Sequence, residues 1–172
     1  MTSKFAGKAP FIVLFSLLAA TPLTAQTILE KAARDEIAAV ADTDPNMAAA
    51  MRKAQSTLAD FLKVATAPRP DTQGFSLKVA VREGERVEYF WITPFTNNGS
   101  QFSGEINNTP RVVRSVKLGQ QTITFAQSDI VDWMYIENGR MKGNYTACAL
   151  LKSAPKNEAE EFKNHFGLNC DS

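Results

Sequence analysis

The sequence predicts an α+β fold: an antiparallel sheet of about five to six strands, with an N-terminal helix pair and a C-terminal helix packed on it. Two observations carry that prediction. Apolar residues recur at steps of three and four between Met47 and Ala65, the spacing of one helix face. From Phe75 onward the period switches to two, as Phe75, Leu77, Val79 and Val81 alternate with Ser76, Lys78 and Ala80. A run of helix, then strands, then helix is the order of a layered α+β domain.

The first 25 residues read as a leader. MTSKFAGK carries Lys4 and Lys8 without an acid, APFIVLFSLLAA is apolar, and TPLTAQ offers small residues for processing after Ala25. A bilayer span needs about 20 apolar residues, and this run is shorter, so no stable anchor is expected after cleavage. The expected divisions are a signal peptide over 1–25, a loosely docked helix over 26–43, and a single α+β domain over 44–172. Localisation is then periplasmic or secreted.

Within 26–43, Thr27 and Glu30 match a capping box that opens a helix to about Ala41. Its face of Ala32, Ala33, Ala38 and Ala39 offers little to bury. Asp44-Pro45 starts a second helix, with a capping acid before a first-turn proline. Met47, Met51, Ala54, Leu58, Phe61, Leu62 and Ala65 form its stripe, which reads as core. Pro68, Pro70 and Gly74 end it.

Strands follow. FSLKVAV and VEYFWI, joined by an EGE turn, make a hairpin whose second strand is the more central, being apolar on both faces. Phe102, Gly104 and Ile106 mark a third strand, VVRSVKL reads as extended, and Ile123 and Phe125 mark a further one. Asn138-Gly139 between WMYI and MKGNY predicts a tight hairpin, because that turn needs positive φ at both central residues. Gly143 in the return strand predicts a close backbone approach. Trp133 and Tyr135 share one face of this hairpin, Met134 and Ile136 the other, and the apolarity of both places it beneath a helix. TACALLK fits a strand or a short helix, with helix preferred. Pro155 to Phe166 reads as helix, with Pro at its start, acids early and Lys163 late, stopped by Gly167.

Charge excludes some functions. Lys plus Arg number 19 against 18 acids, and loss of the leader removes two of the lysines. A chain this close to neutral has no electrostatic reason to bind nucleic acid. Cys148 and Cys170 both lie in the exported part, where a disulfide is expected, contributing on the order of 3 kcal/mol by chain entropy. His165 is the one histidine, which supplies neither a zinc set nor a ready triad. No phosphate loop or dinucleotide fingerprint occurs. No metal or cofactor is expected, and no catalytic residue is assigned.

The aromatics offer two readings. Trp91, Trp133, Tyr135 and Tyr145 anchor a sheet, or they form a contact surface for a partner. Asp129 reads as a turn cap and Asp132 as solvated.

DWMYIENGRMKGNYT, with VKLGQ upstream and the helix DPNMAAAMRKAQSTLADFL before GFSLKVAV, resembles the YegJ-like family of bacterial proteins of unknown function. The resemblance spans about Asp44 to Leu151 and rests on Trp91, Gly104, Lys117, Gly119, Asp132, Trp133, Met134, Gly143 and Tyr145. It implies no settled activity. Three classes of function remain: a non-catalytic periplasmic domain binding an envelope protein near Trp91, Trp133 and Tyr135; an immunity or inhibitor protein; and a hydrolase using Asp129, Asp132 or Glu88.

Overall fold

The computed structural model describes Thr27, residues 44–119 and residues 122–170. The expected leader over 1–25 and, Thr27 apart, the expected helix over 26–43 lie outside the described residues. The described chain runs α1 (Pro45–Thr66), β1 (Thr72–Glu83), β2 (Arg86–Asn97), β3 (Gln101–Ile106), β4 (Thr122–Ala126), β5 (Ile130–Glu137), β6 (Arg140–Gly143), α2 (Tyr145–Leu151) and α3 (Lys156–Phe166).

The start of α1 is set by chemistry local to it. The Asp44 carboxylate accepts the backbone N–H groups of Asn46 at 2.8 Å and Met47 at 3.0 Å, while Pro45 occupies the first turn. The helix buries Met47, Ala54, Leu58 and Phe61, four members of the stripe read from the sequence.

All six strands pair antiparallel in the order β4-β3-β2-β1-β5-β6. The two strands of the first hairpin therefore lie at the centre. One sheet face carries Leu77, Val79, Phe90, Ile92 and Trp133, which form one core with Ala54, Leu58 and Phe61 of α1. Toward β3 and β4 the same core is closed by Val113 and Val116, from the long connection after β3.

That connection differs from expectation. VVRSVKL forms no strand. Its backbone donors go to side chains instead: Glu88 accepts the N–H groups of Arg111, Val112 and Val113 at 2.7–2.9 Å, and Glu83 accepts that of Arg114 at 3.3 Å. A carboxylate taking three backbone N–H bonds does the work of a neighbouring strand. The valine-rich segment buries Val113 and Val116, three residues apart, over the sheet rather than extending it, and leaves Val112 exposed.

The Asn138-Gly139 turn has φ of 51° and 74°, as the hairpin requires. Gly143 has φ of 77°, and a Cβ there would run into the Trp133 carbonyl and ring. TACALLK is helical as preferred, Thr146 to Leu151 lying within α2 and Lys152 forming its C-cap. α2 and α3 build a second small core of Ala147, Leu151, Ala159, Phe162 and Leu168, against which Met141 of β6 packs. A disulfide joins Cys148 of α2 to Cys170 beyond α3.

Candidate functional site

β1 and β5 place Lys78 directly opposite Asp132, and β2 places Trp91 opposite Lys78 on its other side. The three side chains thus share the sheet face turned away from α1. Asp132 is fully buried, with 0% exposure. This corrects the solvated role read from the sequence. Its oxygens are taken by the backbone N–H of Trp133 at 2.8 Å, the backbone N–H of Thr146 at 2.7 Å and the Thr146 hydroxyl at 2.7 Å. The Thr146 hydroxyl also accepts from Lys78 Nζ at 3.0 Å. A continuous chain results: ammonium, hydroxyl, carboxylate. Lys78 Nζ lies 5.5 Å from the centre of the Trp91 ring, within cation–π range.

The local fold explains why the chain closes here. Gly143 and Asn144 both adopt positive φ, turning the chain off β6 into α2 beside β5. Asn144 N–H still bonds the Trp133 carbonyl at 2.8 Å, which sets Thr146, the second residue of α2, over Asp132. Burial pushes the Asp132 carboxyl above its ordinary value of 3.8, against the opposing pull of Lys78 and the three hydrogen bonds. Burial likewise pushes Lys78 below 10.5, with Asp132 acting the other way. Lys78 as a residue remains half-buried, so it is the ammonium end that loses water.

The aromatics expected to act together divide between the faces. Trp133 is 7% exposed, stacks on Phe61 at 5.0 Å, and donates its indole N–H to the Ala54 carbonyl at 3.0 Å. Tyr145 meets it edge-on at 5.5 Å, and Tyr135 lies 6.1 Å away. Both tyrosines are half-buried, and desolvation raises the Tyr135 phenol. Trp91, also half-buried, stands apart on the Lys78 face.

The other carboxylates singled out in the sequence are occupied structurally. Asp129 accepts the Ala126 N–H at 3.0 Å, capping a short 3₁₀ turn as expected, and Glu88 holds the long connection. His165 is exposed in the last turn of α3, edge-on to Phe166. Among the described residues no buried side-chain polar atom lacks a partner, and no three His, Cys, Asp or Glu gather as a metal set. None of the described helices is long and apolar enough to cross a membrane.

A groove of about 350 Å³ opens elsewhere, between the end of α1 and the far ends of β1 and β2. Phe75, Phe95, Leu62 and Pro94 line it with Thr66 and Asn97 at its polar side. It contains no ionisable side chain.

Sequence reasoning passed over Lys78 and Thr146. A signal existed: Lys78 and Asp132 are lone opposite charges within otherwise apolar stretches, FSLKVAV and IVDWMYI. Strands of that kind are buried on both faces, so two such charges invite pairing.

Together these features define a class: a single-sheet α+β domain organised around a buried Lys–Thr–Asp chain. The family model described as "Uncharacterized protein conserved in bacteria (DUF2314)" matches residues 44–170, and the chain belongs to that family. It is 34% identical over 117 residues to the uncharacterized protein YegJ of Escherichia coli K12, covering 68% of this chain and 74% of that one. It is also 29% identical over 87 residues to a putative ankyrin repeat protein of Neisseria meningitidis serogroup B, covering 51% of this chain but only 34% of that protein. No solved structure matches.

Proposed function

We propose that the protein is an exported, non-catalytic binding domain that engages a partner in the cell envelope. The observation that carries this reading is the fate of its acids. Asp132, Asp129 and Glu88, the residues a hydrolase would draw on, each accept backbone N–H groups that hold the fold: two at Asp132, one at Asp129 and three at Glu88. A general acid or base needs a position within reach of substrate, and the Asp132 carboxylate accepts three hydrogen bonds while the residue is sealed from solvent. The groove, by contrast, is open and uncharged, which suits recognition by shape and hydrogen bonding. Export is supported by the leader-like residues 1–25 and by a disulfide, which persists in oxidising compartments.

The test is a photo-crosslinking residue placed in living cells at Asn97 on the groove, at Trp91 on the opposite face, and at exposed Glu160 of α3 as control. The reading expects a processed protein in the periplasmic fraction and a discrete adduct from Asn97 or Trp91, absent from Glu160. Full-length protein retained in the cytoplasm would contradict it, as would identical labelling at all three sites.

A further inference from the structure

We infer that the groove is a slot for an extended, uncharged peptide strand, laid along the open edge of β1 with an apolar side chain directed between Phe75 and Phe95. The inference rests on the binding reading above and gives it a site and a ligand class.

The sheet itself makes the opening. The β1–β2 ladder runs from Glu83–Arg86 to Leu77–Ile92 and, among the described residues, goes no further. Each strand continues for five residues past that point, over Thr72–Ser76 and Thr93–Asn97. Among the described residues the β1 extension pairs with β5 alone, through Thr72–Glu137, Gln73–Ile136 and Ser76–Met134. The β2 extension turns to β3, with a register shift between Ile92 and Phe95. The two strands therefore part, and the groove occupies the space between them under the last turn of α1.

In an antiparallel ladder, backbone groups alternate between the two sides of a strand. With β5 on one side, alternation turns part of the Thr72–Ser76 backbone to the side that β2 has left. There the Thr72 N–H is taken by the Arg69 carbonyl at 3.0 Å and the Gly74 carbonyl accepts from the Ser76 hydroxyl at 3.4 Å, which leaves the Thr72 carbonyl and the Gly74 N–H for a ligand. Gly74 puts no side chain across this edge, and its φ of 68° accompanies the register shift between Gln73 and Ser76. Peptides recognised by strand addition gain affinity from such main-chain groups and selectivity from pockets for alternate side chains. Phe75 and Phe95, which line the groove, both contact the buried Phe61, at 6.0 Å and 6.1 Å between ring centres, so the core holds the two rings in place on either side of one such pocket. The lack of ionisable lining excludes a charged side chain at that position, because it would be desolvated without a partner. A volume near the lower end of ligand sites fits a short segment.

The probe is a capped five-residue peptide alternating threonine and valine, titrated into the purified, oxidised protein while backbone amides are followed by NMR. The expected result is saturable shifts confined to Thr72–Ser76, Thr93–Asn97 and the last turn of α1. Backbone N-methylation of the peptide weakens binding at least about tenfold, and so does Thr66→Trp, which plugs the groove from an exposed position. Equal binding of the N-methylated peptide would overturn strand addition, as would shifts centred on Trp91 or no shifts up to about 5 mM. An adduct from Trp91 but not Asn97 in cells would remove the slot and leave the broader binding reading standing.

Discussion

Trp133 ties β5 to both α1 and α2. Its ring stacks on Phe61, meets Tyr145 edge-on, and its indole N–H satisfies a helix carbonyl. Trp133→Ala is expected to cost ~3–5 kcal/mol, since it opens a large cavity and leaves the Ala54 carbonyl without that donor. Urea unfolding checks this, and a variant as stable as the wild type would return Trp133 to the role of surface contact. Gly143→Ala is a second residue-scale test. It forces a Cβ into the Trp133 carbonyl and ring at a positive φ, so the β6–α2 turn must shift. The expected result is lowered thermal stability and displaced Trp133 resonances, while Gly84→Ala, with nothing within 4 Å of its Cβ, isolates the cost of positive φ alone.

Between elements, carboxylates do much of the joining. Asp44 caps α1, Glu88 anchors the connection after β3, Asp129 closes the turn before β5, and Asp132 docks α2. Glu88→Gln keeps one acceptor oxygen where three backbone N–H groups converge, so hydrogen exchange of Arg111, Val112 and Val113 should accelerate while α1 stays protected. Unchanged exchange at those amides would show that Val113 and Val116 hold the connection by packing alone. This segment also marks the limit of what was legible from the sequence. Local signals located α1, both tight hairpins and α3, because caps, periodicity and Asn-Gly act over a few residues. VVRSVKL, rich in β-branched valine, reads locally as extended, yet the N–H groups of Val112 and Val113 are claimed by Glu88 and that of Arg114 by Glu83, more than twenty positions earlier. The candidate site was obscured in the same way. Lys78, Thr146 and Asp132 are brought together only by strand order and by the turn at Gly143 and Asn144. The groove depends on where the β1–β2 ladder ends, a feature that neither strand's sequence states.

At the scale of the whole molecule, a sheet with α1 on one face is joined at its β5–β6 side to a small disulfide-closed module, and the buried charge chain lies at that junction. Reduction of Cys148–Cys170 should lower the melting temperature, the cross-link contributing on the order of 3 kcal/mol. Equal melting with and without reductant would show that the second core stands without it. The junction also sets a pH dependence. A carboxyl raised by folding favours the folded state when protonated, so the Asp132 contribution declines as pH rises through and above 3.8. An ammonium lowered by folding favours the folded state when neutral, so the Lys78 contribution recovers as pH approaches 10.5. Relative to a Lys78→Met/Asp132→Leu double variant, the wild type should therefore be at its weakest at intermediate pH, and a difference independent of pH would contradict the assignment.

The central claim is that the Lys78–Thr146–Asp132 chain belongs to the architecture, and its most direct test is a double-mutant cycle in urea at neutral pH. Removing one charge strands the other in a desolvated site. Lys78→Met or Asp132→Leu alone should cost ~3–5 kcal/mol, and the double variant should recover most of that loss. Single variants as stable as the wild type would contradict the claim and reopen Asp132 as a functional group.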